Sequence, residues 1–220
     1  MKRVERMPPY YPIFLNVRGK RCVVVGGGKV ALRKVKVLLE HGANVEVVSP
    51  ALCPELSQLA RANTISVLRK DYEPGDLNGA FIAIAATKSD INQKVADEAR
   101  RQKTLVNVAD SLEQSDFIVP SCLWRGDLTI AVSTAGRSPA LARKVRTRLE
   151  QNLGGEYASL TGLIAEVRSE LKKRAVIVSG DDWQKALDLD LLIELLRTGQ
   201  REKAKATLLG NLETLREVNP

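Results

Sequence analysis

The sequence predicts an α/β protein: a Rossmann-type parallel sheet, then a small α+β segment, then a helical carboxyl-terminal domain. Three observations predict it. From Arg21 to Asn107, short β-branched runs alternate with helix-length stretches, the pattern of βαβ units whose sheet is buried on both faces. A glycine turn, Gly26-Gly27-Gly28, separates the first run from the first helical stretch. After Asp110 the rhythm changes to a hairpin pattern and then to sustained helical periodicity.

Taken in order, the strands are expected at Cys22–Val25, Val45–Val48, Ile65–Leu68, Phe81–Ala85 and Leu105–Asn107, with helices notably at Val30–Glu40 and Asn92–Arg101. His41-Gly42 closes the first helix with glycine just past its end, where the only histidine complements the helix dipole. Phe117–Leu123 and Leu128–Ser133 read as a hairpin turning at Arg125-Gly126-Asp127. Ser138-Pro139 then opens a helix, Ser as cap and Pro in the first turn. Beyond Glu156, Leu160, Leu163, Ile164, Val167 and Leu171 share one helical face. Further helical blocks run through Leu187–Leu196 and Ala204–Leu215, with breaks at 178–181 and 198–199. The expected organisation is 1–113 dinucleotide-binding, 114–150 dimerisation hairpin and helix, and 151–220 helical. A lone apolar hairpin is marginal unless something covers it, so a homodimer is expected.

Composition narrows the class. The 220 residues are 44% hydrophobic and 27% charged, which excludes wholesale disorder and collagen-like structure. The net charge of +8 favours an anionic partner: nucleic acid, phosphate or a polycarboxylate. Three dispersed cysteines, Cys22, Cys53 and Cys122, form no C-x-x-C pair and fit a reducing compartment. Prolines follow the basic start where a signal peptide needs an apolar run, and no stretch reaches the roughly 18 apolar residues of a membrane span. A cytoplasmic protein is expected. No His/Cys cluster suggests a resident metal. No recognition helix, RNP pattern or stacking aromatics support nucleic-acid binding.

The turn Val25-Gly26-Gly27-Gly28-Lys29-Val30-Ala31 has the order strand, G-x-G-x-x-A, helix. Gly26 permits the tight turn, Gly28 lets backbone approach a pyrophosphate, and Ala31 lets the helix pack close. The helix start offers free N–H groups to phosphate. The acid expected about 20 residues on, for the ribose, is absent: the second strand ends Val48-Ser49-Pro50, with Ser49 as the available donor. These residues alone leave NAD and NADP unseparated.

With these residues set out, the chain resembles the precorrin-2 dehydrogenases of siroheme biosynthesis, including the amino-terminal module of siroheme synthases. The resemblance rests on five ordered stretches across about 10–150: Tyr11–Leu15; Val25–Ala31 with Arg33-Lys34; Phe81–Thr87; Val106–Asp110; and Ala131–Arg143. It implies NAD-dependent oxidation of precorrin-2 to sirohydrochlorin, with ferrous iron a further substrate in members that also chelate. It places the family's acidic residue on Asp110 and its dinucleotide contacts on Gly27, Gly28, Lys29, Val30, Ser49, Pro50, Ala86 and Thr87, beside Gly26 of the turn. Asn107, Thr134, Gly136, Arg137 and Ser138 are the candidate substrate contacts. Thr134 departs from those members that carry a phosphorylatable serine there, and with no methyltransferase module in the sequence the chain is not expected to make precorrin-2 itself.

The residues support the same chemistry. Asp110 follows an apolar strand, at the edge where open α/β sheets bind ligands, and a carboxylate there suits proton removal. The alternative is a turn or cap aspartate. Arg137, Arg143, Lys144, Arg146 and Arg148 suit a substrate rich in carboxylates, or form a solvated helix face. A non-catalytic NAD-binding redox sensor would need only the glycine turn.

Overall fold

The computed structural model describes residues 10–218. The basic start at Met1–Arg6 and Pro8-Pro9 lie outside the described residues. Two compact units divide at Val119/Pro120.

In the first unit, β1 (Arg21–Val25), β2 (Asn44–Val48), β3 (Ser66–Leu68), β4 (Ile82–Ala85) and β5 (Leu105–Val108) form one parallel sheet in the order β3-β2-β1-β4-β5. Helices α1 (Lys29–Glu40), α2 (Pro54–Arg61) and α3 (Ser89–Gln102) connect them. Strand alternation builds two cores. Cys22, Val24, Val45, Val47, Ile82 and Ile84 pack with Ala31, Val35 and Leu38 of α1 and Leu56 of α2. Val23, Val25, Ala83, Ala85, Val106 and Val108 pack with Val95, Ala96 and Ala99 of α3. The inner strands are therefore covered on both faces, whereas the edge strand β3 leaves Ser66 and Leu68 exposed.

The register matters for the site. Val25 pairs with Val48 and Ala85, and Ala85 with Val108, so four strands end level. Gly26, Ser49, Ala86 and Ala109 consequently form a row along the carboxyl edge. The order reverses between β1 and β4, which is where open α/β sheets form their ligand crevice.

The expected strand from Phe117 is shorter than its apolar run. Asp116 accepts from the Val106 amide (3.0 Å) and donates its own amide to Val106 O (2.8 Å), while Asn107 Nδ2 donates to Phe117 O (3.0 Å). Phe117 packs against the first core. Residues 111–119 are thereby tied to β5 and belong to the first unit.

The second unit begins with antiparallel β6 (Ser121–Arg125) and β7 (Leu128–Val132), joined by the two-residue turn Gly126-Asp127. Helix α4 (Pro139–Asn152) follows, and Arg125 binds the carbonyls of Leu153 (2.6 Å) and Glu150 (3.1 Å) at its far end. Helices α5 (Glu156–Lys173), α6 (Gly180–Ala186), α7 (Leu189–Arg197) and α8 (Arg201–Val218) complete the unit. Their core joins Leu160, Leu163, Val167 and Leu171 to Trp183, Leu192, Leu195, Leu208 and Leu212. The break expected at 178–181 is a helix start: the Ser179 hydroxyl accepts from Asp182 N (3.1 Å) and caps α6, which seats Trp183 in the core. Among the described residues, no helix is long and apolar enough to cross a membrane.

Candidate dinucleotide and catalytic site

The glycine turn is shaped by what lies against it. Gly26 has φ +125°, and a Cβ there would sit 2.3 Å from Ala86 O across the β1–β4 boundary. Gly27 is constrained just as tightly: a Cβ would fall 1.8 Å from Ala51 O and 2.7 Å from Ser49 Oγ. Its carbonyl accepts from Cys53 N (2.8 Å), so the loop entering α2 is docked on the turn. Gly28 is different. Its φ of −90° suits any residue, and a Cβ would meet no protein atom within 4 Å. The space above Gly28 is a cradle that a methyl group would fill.

Gly28 also starts α1 without a side-chain cap, and the first turn of α1 holds no acid. Its amides therefore present partial positive charge to an anion. Around this start lies a cavity of about 420 Å³. Gly26, Gly27, Gly28, Ser49, Pro50, Ala86 and Thr87 all line it. Lys29 and Val30 stand exposed on the first turn of α1, outside that lining. The Ser49 hydroxyl is engaged, donating to Ala51 O (2.7 Å). The residues present fit a dinucleotide: a cradle, a helix start and a crevice at the order reversal.

Sequence reasoning missed several lining residues, among them Asp71, Tyr72 and Lys88. Asp71 and Tyr72 follow β3, and the level ends of the neighbouring strands are the signal that would have found them. Tyr72 donates to buried Glu98 of α3, which also accepts from Gly75 N (3.0 Å), Leu77 N (3.4 Å) and Gln102 (2.8 Å). Burial and the Glu98 carboxylate raise the Tyr72 phenol, which stays protonated. Glu98 thus pins the loop after β3 that walls the cavity.

Asp110 is exposed, one residue beyond the edge row, and its Oδ1 accepts from Asn92 Nδ2 (3.1 Å). Asn92 is 1% exposed. Its Oδ1 accepts from Thr87 N (3.1 Å) and its Nδ2 donates to Thr87 O (3.2 Å). This two-point clasp fixes which end of the amide faces the carboxylate. Asn92 therefore joins the cavity wall at Thr87 to Asp110. It was invisible in sequence, where an asparagine near a helix start reads as local capping.

Asn107 is buried, with Oδ1 accepting from Lys34 Nζ (3.0 Å) and Nδ2 given to Phe117 O. The other candidate substrate contacts belong to the second unit. Ser138 caps α4, accepting from Leu141 N (3.2 Å), and Thr134 Oγ1 accepts from Ser138 N (2.9 Å). Gly136 turns at φ +77°, and Arg137 is exposed. Thr134 therefore holds the loop that presents Arg137. Among the described residues, no group of three or more His, Cys, Asp or Glu is placed to hold a metal ion. His41 Nδ1 bonds Val37 O (2.7 Å), at the end of α1.

Fold and turn together define a dinucleotide-binding protein of the Rossmann class. An NAD(P)-binding family model matches residues 13–121, and a sirohaem biosynthesis protein central model matches 125–152. The siroheme synthase of Nitrosococcus oceani is 39% identical over 207 residues, covering 93% of this chain and 44% of that protein. That of Thioalkalivibrio sulfidiphilus is 38% identical over 208 residues, covering 93% and 42%. The solved structure of SirC, a precorrin-2 dehydrogenase, superposes with a TM-score of 0.66 at 27% identity, covering 93% of this chain and 99% of that one. The chain thus carries an NAD(P)-binding match followed by a sirohaem biosynthesis central match, and over 93% of its length it is similar both to these siroheme synthases and to SirC. It spans less than half the length of those curated relatives.

Proposed function

We propose that this chain oxidises precorrin-2 to sirohydrochlorin with NAD as acceptor. The observation that carries the reading is Asp110, a carboxylate tethered through Asn92 to the wall of a dinucleotide-shaped crevice. The bound dinucleotide supplies a hydride acceptor; the chain supplies everything else. Gly28 and the first amides of α1 hold the pyrophosphate. Asn92 donates to one oxygen of Asp110 and leaves the other to take the proton that the macrocycle releases as hydride departs. The proton then passes to solvent, so two electrons and two hydrogens leave the substrate. The structure of SirC supports this reading by covering nearly the whole chain.

Asp71 supports NAD over NADP as the acceptor, since its carboxylate in the cavity lining disfavours a 2′-phosphate within its reach. Arg137, presented by Thr134, Gly136 and the Ser138 cap, is assigned to a substrate carboxylate. The protein acts in the cytoplasm, in keeping with its three free cysteines. It acts as a homodimer: β6 and β7 form a two-stranded sheet, and Leu141 (53% exposed) and Val145 (39%) lie on α4 beside it in sequence. A monomer at micromolar concentration in sedimentation contradicts that assembly.

The test is anaerobic incubation of purified protein with precorrin-2 and NAD, following both products by absorbance. Sirohydrochlorin and NADH are expected in equal amounts. Stoichiometric NAD binding without turnover overturns the reading in favour of a redox-sensing module. A second reaction, insertion of ferrous iron as substrate into sirohydrochlorin, is favoured by the siroheme synthase relatives. The rate above the no-enzyme control decides it.

A further inference from the structure

Lys34 carries a charge for which the fold provides no complement. It lies on the second turn of α1, half-buried, with Nζ donating to Asn107 Oδ1 at 3.0 Å. Among the described residues, no carboxylate lies within the 4.0 Å of an ion pair with it. Desolvated cations are ordinarily paired, because burial without a partner is costly. The cost shows here: burial and the neighbouring Arg33 guanidinium pull the Lys34 ammonium down to about 8.

Its surroundings narrow the missing partner. Asn107 is engaged at both ends, by Lys34 and by Phe117 O, so it presents the lysine rather than reaching a ligand by itself. Two of the three ammonium hydrogens are left over. Lys34 is absent from the lining of the dinucleotide cavity. Asn107 precedes Asp110 by three residues, on the strand end that carries the proton acceptor. The complement that these surroundings leave open is an anion, beside the strand that leads to Asp110 rather than at the glycine turn.

We propose that Lys34, presented by Asn107, anchors a carboxylate of the tetrapyrrole substrate; the proposal rests on the dehydrogenase reading above. A dinucleotide phosphate is the other source of the same anionic chemistry, and the test separates the two. Sirohydrochlorin, the product, serves as binding probe, titrated by absorbance into wild type, Lys34→Met and Lys34→Arg, with NAD titrated in parallel.

Lys34→Met is expected to weaken sirohydrochlorin binding about tenfold or more while NAD affinity stays within about twofold, and Lys34→Arg to recover most of it. In wild type, sirohydrochlorin binding weakens as pH rises above about 8, because the ammonium loses its proton while substrate carboxylates stay ionised. Lys34→Arg lacks that dependence, since a guanidinium stays charged. The charged groups facing Lys34 do not mimic it. Arg33 is its neighbour on α1, β5 contributes only the Asn107 amide, and in the following loop the Asp116 carboxylate accepts from Val106 N.

Unchanged sirohydrochlorin binding in Lys34→Met overturns the anchor, as does a loss confined to NAD. Should Lys34→Met fold poorly, a flat wild-type pH dependence across about 7 to 10 overturns it without any variant. If wild type neither binds sirohydrochlorin nor turns over precorrin-2, the dehydrogenase reading itself has failed. If it does both, and Lys34→Met equally, only the anchor has.

Discussion

Three adjacent glycines with three different surroundings give a prediction that separates folding from binding. At Gly28 the backbone is ordinary, and an added methyl meets only open space. Gly28→Ala removes unfolded-state freedom without native strain, which stabilises by about 0.4–1 kcal/mol. The same methyl fills the cradle and holds a pyrophosphate off the amides of α1. Losing one charge-assisted hydrogen bond costs about 1.5–3 kcal/mol, or roughly 10- to 150-fold in NAD affinity. Gly27→Ala drives its Cβ into Ala51 O, and Gly26→Ala meets Ala86 O at positive φ. Backbone has to move in both, so both lose about 1–3 kcal/mol or more of stability. Thermal melts of the apo-proteins and fluorescence titration with NADH read the two effects. Gly28→Ala binding NADH within about twofold of wild type would refute the placement of the pyrophosphate. A Gly28→Ala melt as low as that of Gly27→Ala would refute the steric argument.

Asn92→Ala releases Asp110 from Thr87, so kcat for precorrin-2 should fall at least about tenfold with KM for NAD changed far less. Steady-state kinetics decide, and equal changes in both would mark Asn92 as merely structural. Glu98→Ala strands the amides of Gly75 and Leu77, costing about 1–3 kcal/mol in urea unfolding; Tyr72→Phe costs less because the carboxylate keeps its other partners. Glu166 of α5 is held at about 2 by Lys205 and Arg201 of α8. A depressed carboxyl stabilises above its unfolded value and loses that contribution as pH falls toward the folded one. Acid unfolding of Glu166→Gln should therefore be less steep between about pH 4.5 and 2.

Much of the first unit is legible because period and turn chemistry agree. β-branched runs spaced by helices demand a doubly covered sheet, and the glycine turn sits where its phosphate role requires. Register is not in the pattern, so the level strand ends that bring Asp71 and Thr87 to one crevice had to be seen. Gly27 fills the variable place of the motif, and its constraint comes from a loop 24 residues on, through Ala51 O. The run Phe117–Pro120 reads as strand from its apolar content, yet Asn107 takes the Phe117 carbonyl and proline offers no N–H to a ladder. Ser179-Gly180 reads as a break because serine and glycine end helices as readily as they start them; only the bond to Asp182 N settles the direction.

In the proposed reaction the Asp110 carboxylate takes the proton of the oxidation. Single-turnover oxidation of precorrin-2 by Asp110→Asn, at saturating NAD and with dinucleotide affinity measured alongside, tests it most directly. NAD binding should stay within about twofold of wild type while the rate falls by about 10² or more. Wild-type rates in that variant would contradict the claim.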